Sequence, residues 1–117
     1  MLKKINDFTL DSAPRSIIIT GDIGSEYLDV CDYFAKHLDL YNVDISEMIS
    51  RDLVDQIYLN STPTLYTIDL TKISDKDQNI LLKLFEEPNK FTYIIMYGPS
   101  LYNVLETIIT RSYLLPM

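Results

Sequence analysis

An α/β sandwich built on a mainly parallel sheet is the fold class this sequence predicts, and three observations predict it. Short β-branched or aromatic runs alternate with amphipathic stretches along the whole chain, the rhythm of a parallel sheet with helices on both faces. The run Ser16-Ile17-Ile18-Ile19-Thr20 has the uninterrupted apolar character of a strand buried on both sides. Glycine or proline then punctuates the segments, at Gly21, Gly24, Pro63, Pro88 and Gly98-Pro99.

Each element follows in order. After the 16–20 strand, Gly21-Asp22-Ile23-Gly24 is a turn and Ser25 a candidate N-cap. Glu26 and Asp29 fall in the first helical turn, where carboxylates answer the helix dipole. Tyr27, Leu28, Cys31, Phe34, Ala35 and Leu38 recur at helical spacing. Leu40–Asp44 reads as a short strand. Ser46 is expected to cap a helix reaching about Tyr58, with Ile45, Met48, Ile49, Leu53, Val54 and Ile57 on its apolar face. Asn60-Ser61-Thr62-Pro63 ends it.

Residues 65–70 read as the next strand. Ser74 caps a helix that buries Ile80, Leu81, Leu84 and Phe85 and stops at Pro88. Thr92–Tyr97 is a strand closed by Gly98-Pro99. Ser100 is expected to open a short helix holding Leu101, Val104 and Leu105, and residues 113–115 to form a last strand. In such a sheet, ligands bind beyond the carboxyl ends of the strands, which here carry Gly21, Asp69 and Gly98.

Composition narrows the function. At 117 residues the chain is read as one domain, spanning 1–117, with enough length for a real core. No apolar run approaches the ~20 residues of a membrane helix and no leader pattern is visible. A soluble cytoplasmic protein is the expectation. Cys31 is the single cysteine and His37 the single histidine, too few for a closed zinc site. Acids outnumber bases 17 to 10, and the bases form no stripe, which argues against direct nucleic-acid binding.

The 16–29 segment has the context of a phosphate-binding loop without its chemistry. Such a loop reads G-x-x-x-x-G-K-[ST], with lysine on the β and γ phosphates and a hydroxyl on magnesium. Counting from Gly21, Glu26 stands at the second glycine, Tyr27 at the lysine and Leu28 at the hydroxyl; Gly24 is the only other glycine of the turn. Asp22, Glu26 and Asp29 put acid at a helix end that would otherwise attract anions. Two unit charges ~4 Å apart interact by about 4 kcal/mol at an effective dielectric near 20. Exchanging attraction for repulsion of that size would remove most of the roughly 8 kcal/mol of a micromolar ligand.

Two further motifs carry a family resemblance. Gln78-Asn79-Ile80-Leu81-Leu82-Lys83-Leu84-Phe85-Glu86-Glu87-Pro88, followed by Thr107-Ile108-Ile109-Thr110-Arg111-Ser112, resembles the "Q-N-x-L-L-K-x-x-E-E-P … T-I-x-S-R-C" run of AAA+ clamp-loader subunits of DNA polymerase III, most closely the delta-prime type. The resemblance implies an AAA+, P-loop-NTPase-like three-layer α/β/α core. The family's Asp-Glu strand end matches Ile68-Asp69-Leu70: the magnesium-binding aspartate position is kept as Asp69, and leucine replaces the water-activating glutamate. ATP hydrolysis in cis is therefore not expected, nor a bound cofactor.

The resemblance also implies a role by contact. Gln78, Asn79, Lys83, Glu86 and Glu87 match a helix near the subunit boundary. Arg111 matches the arginine finger that a subunit gives to its neighbour's ATP; threonine replaces the family's serine at 110, and serine its cysteine at 112. The implied partners are other clamp-loader or replication proteins, in an oligomer. The family continues into a helical lid and a collar, which the sequence does not extend to. From the residues alone, two alternatives stay open: a nucleotide-binding protein with a degenerate loop, and a small acidic decoy of a replication protein. The simpler readings are a strand-end carboxylate for Asp69, a cap of the preceding helix for Arg111 and a solvated helix end for Glu86-Glu87.

Overall fold

The computed structural model describes residues 6–21 and 26–117. Five strands form one sheet in the order β2-β3-β4-β1-β5, and every pairing is parallel. They are β1 (Ser16–Thr20), β2 (Tyr41–Asp44), β3 (Thr64–Asp69), β4 (Thr92–Gly98) and β5 (Tyr113–Pro116). Four helices connect them: α1 (Glu26–His37), α2 (Arg51–Leu59), α3 (Asp75–Glu86) and α4 (Glu106–Thr110).

Strand alternation divides the core into two layers. Ile17, Ile19, Leu65, Tyr93, Ile95 and Tyr97 pack against Val30, Cys31, Phe34 and Ala35 of α1. Ile18, Tyr66, Ile68, Ile94 and Met96 face the other way, onto Val54 and Ile57 of α2, Leu81, Leu84 and Phe85 of α3, and Ile108 of α4. A strand with both faces covered has no use for polar positions, which is why residues 16–19 and 92–98 are buried throughout. The sheet is thus the middle of a three-layer α/β/α sandwich.

Several local expectations are met by specific bonds. Ser74 caps α3 through a reciprocal box: its hydroxyl accepts from the Asp77 N–H, and the Asp77 carboxylate accepts from the Ser74 N–H. The helix ends at Glu86, with Glu87 as its C-cap before Pro88. The Ser25 cap and Gly24 lie outside the described residues, as does Asp22.

Other expectations are corrected. Ser46 does not cap α2. Its hydroxyl donates to Asp44 Oδ1 at 2.7 Å and accepts the Asp69 N–H at 2.8 Å, which ties the ends of β2 and β3 together. The cap is Ser50, whose side chain accepts from the Leu53 N–H, so α2 begins at Arg51 and Met48 is left exposed. On α1, Leu28 is exposed and Val30 buried, because the inward stripe runs through Tyr27, Val30, Cys31 and Phe34. β3 ends at Asp69, and Leu70 belongs to a 3-10 turn, Leu70–Lys72. No helix opens at Ser100: Asn103 takes a positive φ of 68°, and α4 starts only at Glu106.

The sheet order fixes where a ligand crevice falls. The chain leaves β1 through α1 on one face and leaves β4 through α4 on the other, so β1 and β4 flank the topological switch point. There the Gly21 N–H donates to the Gly98 carbonyl at 3.2 Å, and the Met117 N–H donates to the Thr20 carbonyl at 2.7 Å. Gly21 has a φ of +143°, and a Cβ at that position would lie 2.8 Å from the Met117 carbonyl oxygen. Both the dihedral and the contact demand glycine. Gly21→Ala is expected to destabilise the fold by about 2 kcal/mol, read as a lower midpoint in urea denaturation.

Candidate functional site

Beyond the carboxyl ends of β2, β3 and β4 lies an open recess of about 380 Å³. Its walls include Tyr27, Leu28, Asp44, Asp69, Lys72 and Tyr97. It opens beside the switch point between β1 and β4, where a nucleotide would sit on this architecture.

Tyr27, at the sequence position of the phosphate-binding lysine, is buried and turned inward. Its hydroxyl donates to the Gly98 carbonyl at 3.1 Å, and its ring stacks on Tyr97 with centroids 5.3 Å apart. The Gly98 oxygen therefore receives two hydrogen bonds, from Gly21 N–H and Tyr27 O–H, which uses both of its lone pairs. Glu26, which precedes Tyr27 in the first turn of α1, is exposed.

Asp69 caps the turn that follows it. Its Oδ1 accepts from the Thr71 N–H at 2.9 Å and from the Thr71 hydroxyl at 2.7 Å. This is the bonding of a strand-end carboxylate that stops one backbone run and starts another. Leu70, at the position where the family's glutamate would stand, packs its Cβ against Gly98, where an added Cβ would meet it at 3.0 Å. Among the described residues no group of three or more His, Cys, Asp or Glu side chains is arranged to hold a metal.

Two groups on the α1 side of the sheet, Tyr97 and Cys31, are shifted in the same direction. Burial, with Asp44, Asp69 and Cys31 adding to it, pushes the Tyr97 phenol from its ordinary 10.0 to about 12. Burial also raises the Cys31 thiol from 9.0 to about 12, with Asp32 and Asp44 contributing. Cys31 is thus a neutral core group, not a nucleophile.

Arg111 lies at the other end of the sheet. It is the C-cap of α4, exposed, and its Nη1 reaches the Thr107 carbonyl at 3.4 Å. Ser112 anchors the segment: its hydroxyl donates to the Ile108 carbonyl at 2.7 Å and lies 2.7 Å from the Ser16 hydroxyl, at the amino end of β1. Arg111 is therefore at least one strand length, roughly 15 Å, from the recess on the same chain.

The α3 candidates separate into two groups. Gln78 is buried: its amide nitrogen donates to the Asn103 carbonyl at 2.7 Å, and its oxygen accepts the Leu105 N–H at 2.8 Å. The expectation of a subunit contact through Gln78 gives way to an internal role, holding the loop that leads into α4. Asn79, Lys83, Glu86 and Glu87 are exposed. Asn79 donates to the Asp75 carbonyl, Lys83 lies over the Tyr58 ring at 4.8 Å, and the Tyr58 hydroxyl donates to the carbonyls of Lys83 and Glu87. Tyr58 was not singled out in the sequence, although its place on the α2 face opposite the end of α3 gives it this clamping role.

The family model described as "DNA polymerase III, delta subunit" matches residues 41–117. The chain belongs to that family. Its fold is shared with solved structures at low identity. A DNA polymerase III gamma subunit-related protein from Thermotoga maritima has a TM-score of 0.76 at 16% identity, over 99% of this chain and 45% of that one. An arginine-to-alanine variant of RuvB from Thermotoga maritima gives 0.73 at 11%, over 99% and 44%. The AAA domain of FIGL-1, in complex with ADP, gives 0.64 at 14%, over 99% and 48%. The chain spans less than half the length of these structural neighbours. These structures share the α/β fold of the five-stranded parallel sheet described here. No curated protein shows significant sequence similarity to the chain. Among the described residues, no helix is long and apolar enough to cross a membrane.

The raised pKa values give an alkaline signature. Tyr97 and Cys31 hold their protons in the folded chain to about 12, and lose them near 10.0 and 9.0 when exposed. Above about pH 9 the unfolded chain thus gains ionised forms that the folded one resists, and stability falls from there towards pH 12. Tyr97→Phe keeps the ring and is expected to flatten the upper part of that fall. Urea midpoints measured from pH 8 to 11.5 check this; an unchanged slope would contradict it.

Proposed function

We propose that the chain is a non-hydrolysing, delta-prime-like clamp-loader module that acts in DNA replication by protein contacts. In this reading it lends Arg111 to an ATP held by a neighbouring subunit and binds none itself. The single observation that carries the reading is the inward Tyr27, stacked on Tyr97 and bonded to Gly98, at the position a phosphate-binding lysine would take. A phenol in that place offers a triphosphate no cation, and Asp44 and Asp69 line the same recess.

Three further observations support it. Leucine at 70 cannot accept a proton from water, so the general base of an ATPase has no candidate there. Arg111 and the recess lie at opposite ends of the sheet, an arrangement suited to an arginine that serves a different chain. Its guanidinium is exposed, and the bond to the Thr107 carbonyl, at 3.4 Å, is long enough to be surrendered readily to a phosphate oxygen. The partner surface in this reading comprises the exposed end of α3, with Lys83, Glu86 and Glu87, and the Arg111 corner. Partners are other clamp-loader or replication proteins in an oligomer, and the working location is the cytoplasm.

Two experiments test this. Equilibrium dialysis with Mg-ATP is expected to give no saturable binding to the chain. Mixed with gamma-type ATPase subunits of DNA polymerase III from the same genome, the chain is expected to raise their hydrolysis rate. Arg111→Ala should abolish that stimulation, a loss of about 10³ where the arginine completes the site, while retaining association in pull-down. Saturable ATP binding to the isolated chain, or full stimulation by Arg111→Ala, would refute the reading.

A further inference from the structure

The recess adjoins the position of an anion site but carries the opposite charge. Asp44 and Asp69 reach it from neighbouring strands. Asp44 is the register partner of Thr67, and Asp69, two residues further along β3, shares its face; Tyr97 is the register partner of Asp69 on β4. All three therefore point to the α1 side of the sheet. Each carboxylate has one oxygen engaged and one open. Asp44 Oδ1 accepts from the Ser46 N–H and hydroxyl, Asp69 Oδ1 accepts from the Thr71 N–H and hydroxyl, and neither Oδ2 has a partner among the described residues.

The second observation concerns Tyr97. Its side chain is 7% exposed and lines the recess, and its hydroxyl has no hydrogen-bond partner among the described residues. That hydroxyl is not sealed off, since Thr92 Oγ1 is the one fully buried side-chain oxygen without a partner among the described residues; the Tyr97 O–H instead opens into the recess. The Tyr97 phenol feels both Asp44 and Asp69, so it sits within their reach, and it remains neutral. The Tyr27 ring, stacked beside it, adds a π face. Lys72 also borders the recess, but its Nζ is drawn 3.8 Å from Glu47.

We propose that this recess binds an organic cation of the guanidinium or primary-ammonium class, held by Asp44 Oδ2, Asp69 Oδ2, the Tyr97 hydroxyl and the aromatic wall. The proposal rests on the reading that no nucleotide occupies the recess. A guanidinium suits the arrangement, since its forked N–H groups reach two carboxylates at once and its plane stacks on an aromatic ring. The chemistry is the same whether the cation is a free small amine or the side chain of a partner's arginine or lysine.

Calorimetric titration of the whole chain with agmatine, putrescine and a blocked Gly-Arg-Gly peptide tests this. Agmatine is expected to bind saturably at one site. Asp44→Asn and Asp69→Asn keep the Oδ1 acceptor that holds the local turns, and each should weaken binding about tenfold, the loss expected for one charged hydrogen bond. Tyr97→Phe should weaken it several-fold, and Asp55→Asn, exposed on α2 on the other side of the sheet, should leave it unchanged. Peptide binding as tight as agmatine identifies a side-chain cation; agmatine or putrescine without the peptide identifies a free amine; both support the site. Absence of saturable binding by all three probes, wild-type affinity in the two aspartate variants, or equal loss in Asp55→Asn overturns it. Tight ATP binding would instead overturn the reading beneath it, so the two failures are distinguishable.

Discussion

The carbonyl of Gly98 is the point on which the carboxyl end of the sheet is organised. It closes β4, accepts the Gly21 N–H across the switch point and accepts the Tyr27 hydroxyl from the first turn of α1. With those two bonds made, the crevice between β1 and β4 is filled by the chain's own groups. The Met117 backbone seals the same corner, bonded to Thr20 and leaving no room for a Cβ at Gly21. A phosphate-binding loop needs its N–H groups turned outward and unpaired. Here the first of them is already paired, and an aromatic stack stands where a cation would project.

The surrounding packing keeps that arrangement in place. Tyr97 is fixed by its strand and Tyr27 by the inward stripe of α1, and the two rings stack because both belong to the same core layer. The loop on the far side is held by Gln78, whose amide bridges Asn103 and Leu105. That bridge also explains why α4 is short and begins late: Asn103 in a left-handed conformation turns the chain, and the Gln78 oxygen replaces a side-chain cap for the Leu105 N–H. From α4 the chain passes directly through Arg111 and Ser112 to the edge strand β5. The geometry of the Arg111 corner thus depends on a buried glutamine some thirty residues earlier in the sequence.

Much of this was legible in the residues. The buried strands announced themselves by β-branched runs, and the Ser74 box by its spacing to Asp77. The missing lysine at 27 and the missing glutamate at 70 followed from counting along known patterns. What escaped was set by tertiary contacts. Ser46 has the look of a cap, but its hydroxyl is claimed by Asp44 and Asp69 across two strands. Ser100 likewise precedes an apolar run, yet no periodicity reveals that Asn103 will break it. Gln78 matched a motif whose implied role lay at a surface, whereas burial assigns it to the interior. Tyr27 stood in the periodic apolar set of its helix, but its bond to Gly98 and its stack on Tyr97 are tertiary contacts that no periodicity reveals.

The account's central claim is that the chain's own aromatic pair occupies the nucleotide crevice. A crystal structure grown in the presence of magnesium and a non-hydrolysable ATP analogue tests it most directly. The account predicts Tyr27 bonded to the Gly98 carbonyl and stacked on Tyr97, with no ordered phosphates along residues 21–28. An ordered triphosphate wrapped by that segment, with Tyr27 swung out of the crevice, would contradict it.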